Sequence, residues 1–318
     1  MILVTGALGF IGSHLVDLLE EQGQSVVALD NFGYAANATY YDSLKARNIP
    51  TEIVDLTNDI TLEYIFRKYD ISTVYHLAAE THVDNSIIDV APFIQSNIIG
   101  TANLLKAVTR YPVDRFIHIS TDEVYGHVAT GSTNESTPYH TRNPYSATKA
   151  ASDHLVTAWH HTYNLPAIIT HCSNNYGPRQ HQEKMIPTII RSLQANKPVP
   201  VYGDGLQIRD WLYVKDHCLA LTQVANKGTP GEVYNIGQDN HQEITNIELV
   251  KMICDLLDKP YSLIEHVEDR KGHDRRYSID CTKIQEQLKW YPQYSLQQGL
   301  ELTLADVVPA RSAKRWKH

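Results

Sequence analysis

Gly6-Ala7-Leu8-Gly9-Phe10-Ile11-Gly12 is the stretch on which the fold turns. It directly follows the apolar run Ile2-Leu3-Val4. It opens Ser13 to Glu21, a segment whose apolar residues recur at i, i+3 and i+4, as on one face of a helix. In such a strand–turn–helix unit the first glycine permits a tight turn. The second, lacking a side chain, lets the backbone approach a pyrophosphate, and the third lets helix and strand pack closely. The helix N-terminus then offers free N–H groups and a partial positive charge to the phosphates. The expected ligand is a dinucleotide, with Gly6, Gly9, Phe10, Ile11 and Gly12 at its diphosphate.

Outward from this turn the same rhythm repeats. Ser25 to Leu29, Thr51 to Val54, Thr73 to Ala78 and Arg115 to Ser120 read as buried strands, with amphipathic stretches Leu62 to Tyr69 and Phe93 to Val108 between them. The alternation predicts an α/β fold, a doubly wound parallel sheet of the Rossmann type with helices on both faces. A further helix from Ser146 to Tyr163 and a strand from Ala167 to Thr170 continue it. After Tyr176-Gly177-Pro178 the rhythm loosens. Helices are expected at Ile186 to Gln194, Val214 to Ala225 and Asn246 to Leu257, in a smaller α+β lobe that closes over a ligand. The expected division is a dinucleotide-binding domain over residues 1–175, to which 212–236 returns, and a substrate-binding lobe formed by 176–211 and 237–318.

Asp30 closes the second strand about 20 residues beyond the glycines, where an acid accepts hydrogen bonds from ribose hydroxyls and repels a 2′-phosphate, so NAD is expected rather than NADP. Asn31 is grouped with it. Asp55, with Leu56, follows the third strand, either beside the adenine amine or as a cap for Thr57 to Ile60. Leu77, Ala78 and Ala79, small and apolar at the end of the fourth strand, are expected to line the cofactor.

Bulk properties narrow the possibilities. The 318 residues are 42% hydrophobic and 20% charged, with 28 basic and 36 acidic side chains for a net charge of −8, which argues against a general nucleic-acid or membrane-surface binder. Cys172, Cys218, Cys254 and Cys281 are widely spaced, which fits thiols of a cytoplasmic protein better than a disulfide framework. The N-terminal residues read as the first strand rather than a leader, and no apolar run approaches the ~18 residues of a membrane span. The 16 histidines are scattered, and no metal site is expected.

Two further patterns carry chemistry. Tyr145 and Lys149 form a YxxxK pair, four residues apart on one helix face and so about 6 Å from each other. An ammonium beside a phenol favours the phenolate, and such a tyrosine can take a hydroxyl proton while hydride leaves the same carbon. Thr121-Asp122-Glu123 follows the fifth strand, whose carboxyl end faces the cofactor crevice of a doubly wound sheet. Two adjacent acids there need not share a protonation state, so one can serve as base and the other as acid. Removal of a proton from one carbon and hydroxide from its neighbour requires that pair; simple oxidation or epimerisation does not.

Taken with TGALGFIGSH, HLAAETHVDNSI, STDEVYG, YSATKAASD, SNNYGPRQHQEKMIP, IRDWLYVKDH and RKGHDRRYSID, these motifs make the chain resemble the nucleotide-sugar 4,6-dehydratases of the extended short-chain dehydrogenase/reductase group over nearly its whole length. The resemblance implies tightly held NAD, a nucleoside-diphosphate hexose as substrate and a role in deoxysugar biosynthesis. It implies oxidation at C4 with Tyr145 as base, loss of water across C5–C6 with Glu123 as base and Asp122 as acid, and return of hydride to C6. Thr121 would hydrogen-bond the C4 oxygen, and Lys149 would steady Tyr145 and the nicotinamide ribose.

By the same similarity Asn174, Lys184, Arg209, Asn246, Arg270 and His273 surround sugar, diphosphate and base. Arg209 and Arg270 are the diphosphate candidates, with Arg275 and Arg276 as neighbours of Arg270 that compete for the role. Thr81, His82 and Asn97 are expected at the hexose. Thr81, Asn85 and Met185 depart from the residues usual in the family, which bears on the sugar rather than the chemistry. A homodimer is expected, through a four-helix bundle of Phe93 to Val108 and Ser146 to Tyr163. A thymidine-linked glucose is the expected substrate. A uridine-linked sugar, a 4-epimerase activity and a non-catalytic NAD sensor are the alternatives.

Overall fold

The computed structural model of the chain describes residues 1–238, 243–269 and 272–307. Strands β1 (Ile2–Thr5), β2 (Val26–Asp30), β3 (Thr51–Ile53), β4 (Thr73–His76), β5 (Arg115–Thr121) and β6 (Ala167–Cys172) join strand Val233–Ile236 in one seven-stranded sheet. Its order is Val233–Ile236, β6, β5, β4, β1, β2, β3, and every pairing is parallel. All residues of β2 and of β6 are buried, as a sheet covered on both faces requires. The strand order reverses between β1 and β4, which opens a crevice at the carboxyl ends of these strands.

The helices covering the first half of the sheet are α1 (Phe10–Glu21), α2 (Ala38–Ala46), α3 (Asp59–Lys68) and the short α4 (Val83–Ile88). Next, α5 (Ala91–Phe93), a π-helical stretch Ile94–Gly100 and α6 (Thr101–Arg110) run on as one rod. Beside it lies α7 (Pro144–Tyr163), whose start is fixed by a capping box between Asn143 and Ser146 and by Pro144 in the first turn. That fixed start matters because Tyr145 is the second residue of the helix.

The second lobe holds α8 (Met185–Gln194) and a parallel pair of Val199–Tyr202 with Ile264–Val267. It also has an antiparallel pair of Ile208–Arg209 with Ile244–Thr245. Helix α9 (Val214–Lys227) lies against α1 on the sheet, and α10 (Asn246–Leu256) packs on α8. One hydrophobic core runs through both parts, from Val4 and Leu15 to Ile186, Ile189 and Leu249. Each such fully buried aliphatic side chain contributes roughly 1.5–3 kcal/mol, so the lobes are joined by packing rather than by a linker. The segment between them is tied back as well: His14 Nε2 meets Pro178 O at 2.9 Å, and Arg179 pairs with Asp17 at 2.7 Å while lying over the Tyr40 ring. Among the described residues no helix is long and apolar enough to cross a membrane.

The differences from the sequence reading are local. The fourth strand stops at His76 rather than Ala78, because Leu77 to Ala79 turn away to line the crevice. Helix α2 was not expected: Tyr40 and Leu44 are its only buried side chains, too few to set a period. Helices Thr282–Leu288 and Leu296–Val307 near the C-terminus were likewise not anticipated.

Candidate active site

The glycine turn has the geometry its sequence demands. Gly6 sits at φ +69°, and a Cβ added to Gly12 would lie 2.1 Å from Gly6 O, so any side chain there forces α1 away from β1. Gly9 is the N-cap of α1 and supplies no side-chain cap, which leaves first-turn N–H groups directed at the crevice. The Asp30 carboxylate braces this turn, accepting from Leu8 N at 3.0 Å through one oxygen and from Phe32 N at 2.9 Å through the other. Burial raises the Asp30 pKa, and these N–H bonds oppose the rise. Asp55 Oδ1 accepts from Thr57 N and Thr57 Oγ1, both at 2.8 Å, in a turn ahead of α3, whose N-cap is Asn58, and Asp55 also borders the crevice.

A cavity of about 500 Å3 occupies the crevice. Along one half it is walled by Gly6, Gly9, Phe10, Ile11, Gly12, Asp30, Asn31, Asp55, Leu56, Leu77, Ala78 and Ala79. Thr121, Asp122, Glu123, Tyr145 and Lys149 meet at the other half, with Thr81, Asn174 and Lys184 across from them. Residues from the ends of five strands, β1 to β5, from α7 and from the second lobe therefore share one chamber.

The acids differ as their chemistry requires. Thr121 caps a 3-10 turn, Asp122–Tyr125, and accepts from Glu123 N at 3.3 Å. Asp122 is 4% exposed and its Oδ2 has no hydrogen-bond partner. Burial, then the neighbouring Glu123 charge, pushes its pKa well up, which favours the protonated carboxyl. Glu123 is only half-buried and accepts from Asn143 Nδ2 at 3.2 Å and Tyr277 OH at 3.4 Å. The two acids are adjacent in the chain but stand in different surroundings.

The YxxxK pair departs from expectation in one respect. The expected lowering of the phenol is not found in the protein by itself: burial and the Glu123 charge push the Tyr145 pKa well up, against a hydrogen bond from Thr121. Lys149 is buried, which lowers its own pKa, and its Nζ donates to Ile119 O at 2.8 Å. Burial therefore outweighs the ammonium in setting the state of the phenol.

The chain matches the family model described as GDP-mannose 4,6 dehydratase over residues 3–303. It is 48% identical to dTDP-glucose 4,6-dehydratase of Haemophilus influenzae over 95% of this chain and 96% of that protein. This chain belongs to the nucleotide-sugar 4,6-dehydratase family. Among solved structures, a dTDP-glucose 4,6-dehydratase from Streptomyces venezuelae, crystallised with NAD, superposes with a TM-score of 0.93 at 39% identity, each chain covered to 98%. UDP-glucose 4-epimerase from Thermotoga maritima, with UDP-glucose, has a TM-score of 0.91 at 31% identity, with 98% of this chain and 99% of that one covered. The dehydratase family thus shares its backbone with epimerases, and the distinction rests on side chains.

Other residues expected at the substrate of this dehydratase-family chain stand off the cavity wall. Asn97 is buried within the π-helical stretch, where its side chain bonds the backbone of Glu80 in both directions and donates to Thr148 Oγ1 at 2.9 Å; Gln95 and Ser96 face the cavity instead. His82 is taken up as the N-cap of α4. Arg209 is buried over the Tyr277 ring, 4.4 Å from its centroid, and donates to Ile208 O and Asp274 O. Asn246 starts α10 with its N–H on Gln207 O, and His273 pairs with Asp269 at 2.6 Å. These positions are held by the second lobe's own short strands rather than by the strand ends. Arg270 lies outside the described residues. Of its expected competitors, Arg275 pairs with Asp204 at 2.7 Å, and the largely buried Arg276 pairs with Glu243 and donates to Val128 O and Gly131 O.

Sequence reasoning passed over several wall residues. Tyr34 donates to Glu183 across the crevice at 3.1 Å, and both border the cavity with Glu80 and Cys172. Tyr277 touches Glu123 and donates to Asp274 Oδ2 at 2.8 Å. Tyr277 lies within RKGHDRRYSID, so its motif had been noticed; Tyr34 and Glu183 carry no signal, because nothing local places a loop tyrosine opposite a glutamate 149 residues on.

Proposed function

We propose that this chain converts dTDP-glucose to dTDP-4-keto-6-deoxyglucose with NAD as resident cofactor, in deoxysugar biosynthesis. The observation carrying the reading is the pair Asp122 and Glu123, one acid buried with its pKa pushed well up, the other hydrogen-bonded and half-exposed, in one cavity with Tyr145. The substrate and cofactor of the 48% identical relative and of the superposed dehydratase structure support it.

The residues present fit NAD. The uncapped N-terminus of α1 and the close-packed Gly6–Gly12 contact suit a diphosphate, Asp30 suits a free ribose 2′-hydroxyl, and Leu77 to Ala79 suit a flat ring. Bound there, NAD supplies an oxidant for sugar C4 and returns the same two electrons at C6. The protein's own work is on protons. Thr121 orients the C4 oxygen, and Tyr145 takes its proton as the carbonyl forms. The ketone acidifies C5, and Glu123 removes that proton, to return one to C5 when C6 takes up hydride. The electron pair moves into C5–C6 as the C6–O bond breaks, and Asp122 gives its proton to the departing oxygen, so that water leaves. Lys149 supplies the positive charge that favours an anionic Tyr145 during the first step.

The same reading divides the chain into a dinucleotide-binding part, 1–175 with 212–236, and a nucleotide-sugar lobe, 176–211 with 237–318; the place of strand Val233–Ile236 at the sheet edge supports the return. It includes a homodimer through the α5–α6 rod and α7, supported by exposed Ile94, Ile99 and Tyr163 on these neighbouring helices. A cytoplasmic setting is supported by four free, buried cysteines.

Purified protein given dTDP-glucose, UDP-glucose and UDP-N-acetylglucosamine side by side is expected to yield a 4-keto-6-deoxy product, fastest from dTDP-glucose. A time course that produced only the C4 epimer would overturn the assignment to dehydration.

A further inference from the structure

Beneath Lys149, away from the cavity, β5, β6 and α7 meet around a single carboxylate. Asp153 follows Lys149 by four residues on the same face of α7 and is 1% exposed. Its Oδ2 lies 3.1 Å from His171 Nε2 and accepts from Ser120 Oγ at 2.9 Å, while its Oδ1 lies 3.1 Å from His118 Nε2, an electrostatic contact without hydrogen-bond geometry. His118 and Ser120 flank Ile119, whose carbonyl accepts from Lys149 Nζ at 2.8 Å. Ser120 and His171 are register partners on adjacent strands. The carboxylate therefore grips both neighbours of the lysine's acceptor and fastens the helix bearing the lysine to two strands at once. A slip of α7 by one residue would break every one of these contacts.

We propose that Asp153 is a positioning residue for the dehydration, fixing the place of the Lys149 ammonium and compensating its charge. The inference rests on the reading of Lys149 as the electrostatic partner of Tyr145. Five titratable groups face Lys149: His76 from β4, His118 from β5, Cys172 from β6, and Tyr145 and Asp153 from α7. Burial drives His118 down to about 4 and His76 well below its usual value, while it pushes Cys172 up to about 12 and Tyr145 well up. All four are neutral near pH 7. Burial also works against an ionised Asp153, yet His118 and His171 hold its pKa far below the ordinary carboxylate range. Burial lowers the Lys149 pKa, and Asp153 is the foremost influence opposing that fall. A buried ammonium without a counter-charge is costly, and Asp153 is the counter-charge.

Asp153→Asn keeps the volume and deletes the charge. In protein carrying 13Cε-labelled lysine, with the Lys149 resonance assigned by its loss in Lys149→Arg, the Lys149 titration is expected to move down by about one pH unit or more. At neutral pH kcat is expected to fall roughly tenfold or more, with KM for dTDP-glucose within about threefold. A Lys149 midpoint and kcat equal to wild type, whatever the Tm, would overturn the assignment. If Asp153→Asn does not fold, Ser120→Ala removes one bond to the carboxylate and leaves the charge. A several-fold drop in kcat at constant KM then supports the proposal, and an unchanged kcat overturns it. Wild-type protein inert toward dTDP-glucose would sink the reaction above while leaving the lysine titration readable, so the two failures are separable.

Discussion

The two halves of the crevice are held in different ways. On the cofactor side every sequence-designated residue stands on the cavity wall, from Gly6 to Ala79, because each sits at or just beyond the carboxyl end of a parallel strand. On the nucleotide-sugar side Thr81, Asn174 and Lys184 reach the cavity, whereas Arg209 and His273 are occupied by contacts within the second lobe and Asn246 lies off the cavity wall at the start of α10. Strand ends are fixed by a sheet whose register is set along its whole length. The lobe is built from two-stranded pairs and turns, so a residue's place there depends on partners scattered over a hundred positions. The chemistry lies at the seam between the two halves, where Thr121, Asp122 and Glu123 leave β5.

The largest effect is expected at that seam. Tyr145→Phe removes the group that takes the C4 proton and leaves the ring in its pocket against Phe93. It should lower kcat by about 10³-fold, with neither reduced cofactor nor product appearing in a single turnover. Wild-type turnover in this variant would place the base elsewhere and break the catalytic half of the comparison. Glu123→Gln should cost about 10²-fold in product formation while oxidation at C4 continues, so reduced cofactor accumulates. A steady state without that absorbance would remove Glu123 from the elimination step. On the cofactor side a smaller effect is expected. Asp30→Asn keeps an oxygen for Leu8 N but loses the charge, which should weaken NAD by about tenfold and narrow the preference over NADP, read by calorimetry with both cofactors. Equal binding of NAD by mutant and wild type would reduce Asp30 to a brace for the glycine turn.

This contrast also marks how far the sequence could be read. The order of strands and helices through β6 was legible because a buried parallel strand is a continuous apolar run and its helix has a 3.6-residue period. The glycine turn, Asp30, the acid pair and YxxxK were legible for the same reason: each is a short motif whose chemistry is decided within a few residues. The protonation states of Tyr145 and Lys149 were not, since they depend on burial by elements distant in sequence. Nor was the Tyr34–Glu183 contact, which brings together a loop after β2 and the approach to α8. Asn97 was expected at the hexose from the resemblance rather than from any pattern around it; it lies in the π-helical stretch Ile94–Gly100, where its side chain goes to Glu80 and Thr148.

Arg209 gives the smallest expected effect and the sharpest test of the second half. Its guanidinium spends one nitrogen on Ile208 O and another on Asp274 O while stacking on Tyr277, whose hydroxyl reaches Glu123. Its positive charge also acts on the site, lowering the pKa of Asp122 against the larger upward pushes of burial, Glu123 and Asp210. Arg209→Lys keeps the charge but gives up the planar fork and most of the stacking. If this guanidinium also meets the substrate diphosphate, KM for dTDP-glucose should rise about five- to tenfold with kcat within about twofold, because the loss falls equally on ground state and transition state. If Arg209 only knits the lobe beneath Tyr277, the Tm should fall with KM unmoved. A fall in kcat alone would mean that the stack sets the position of Tyr277, and through it the Glu123 carboxylate, which would make this arginine part of the seam rather than of the nucleotide grip.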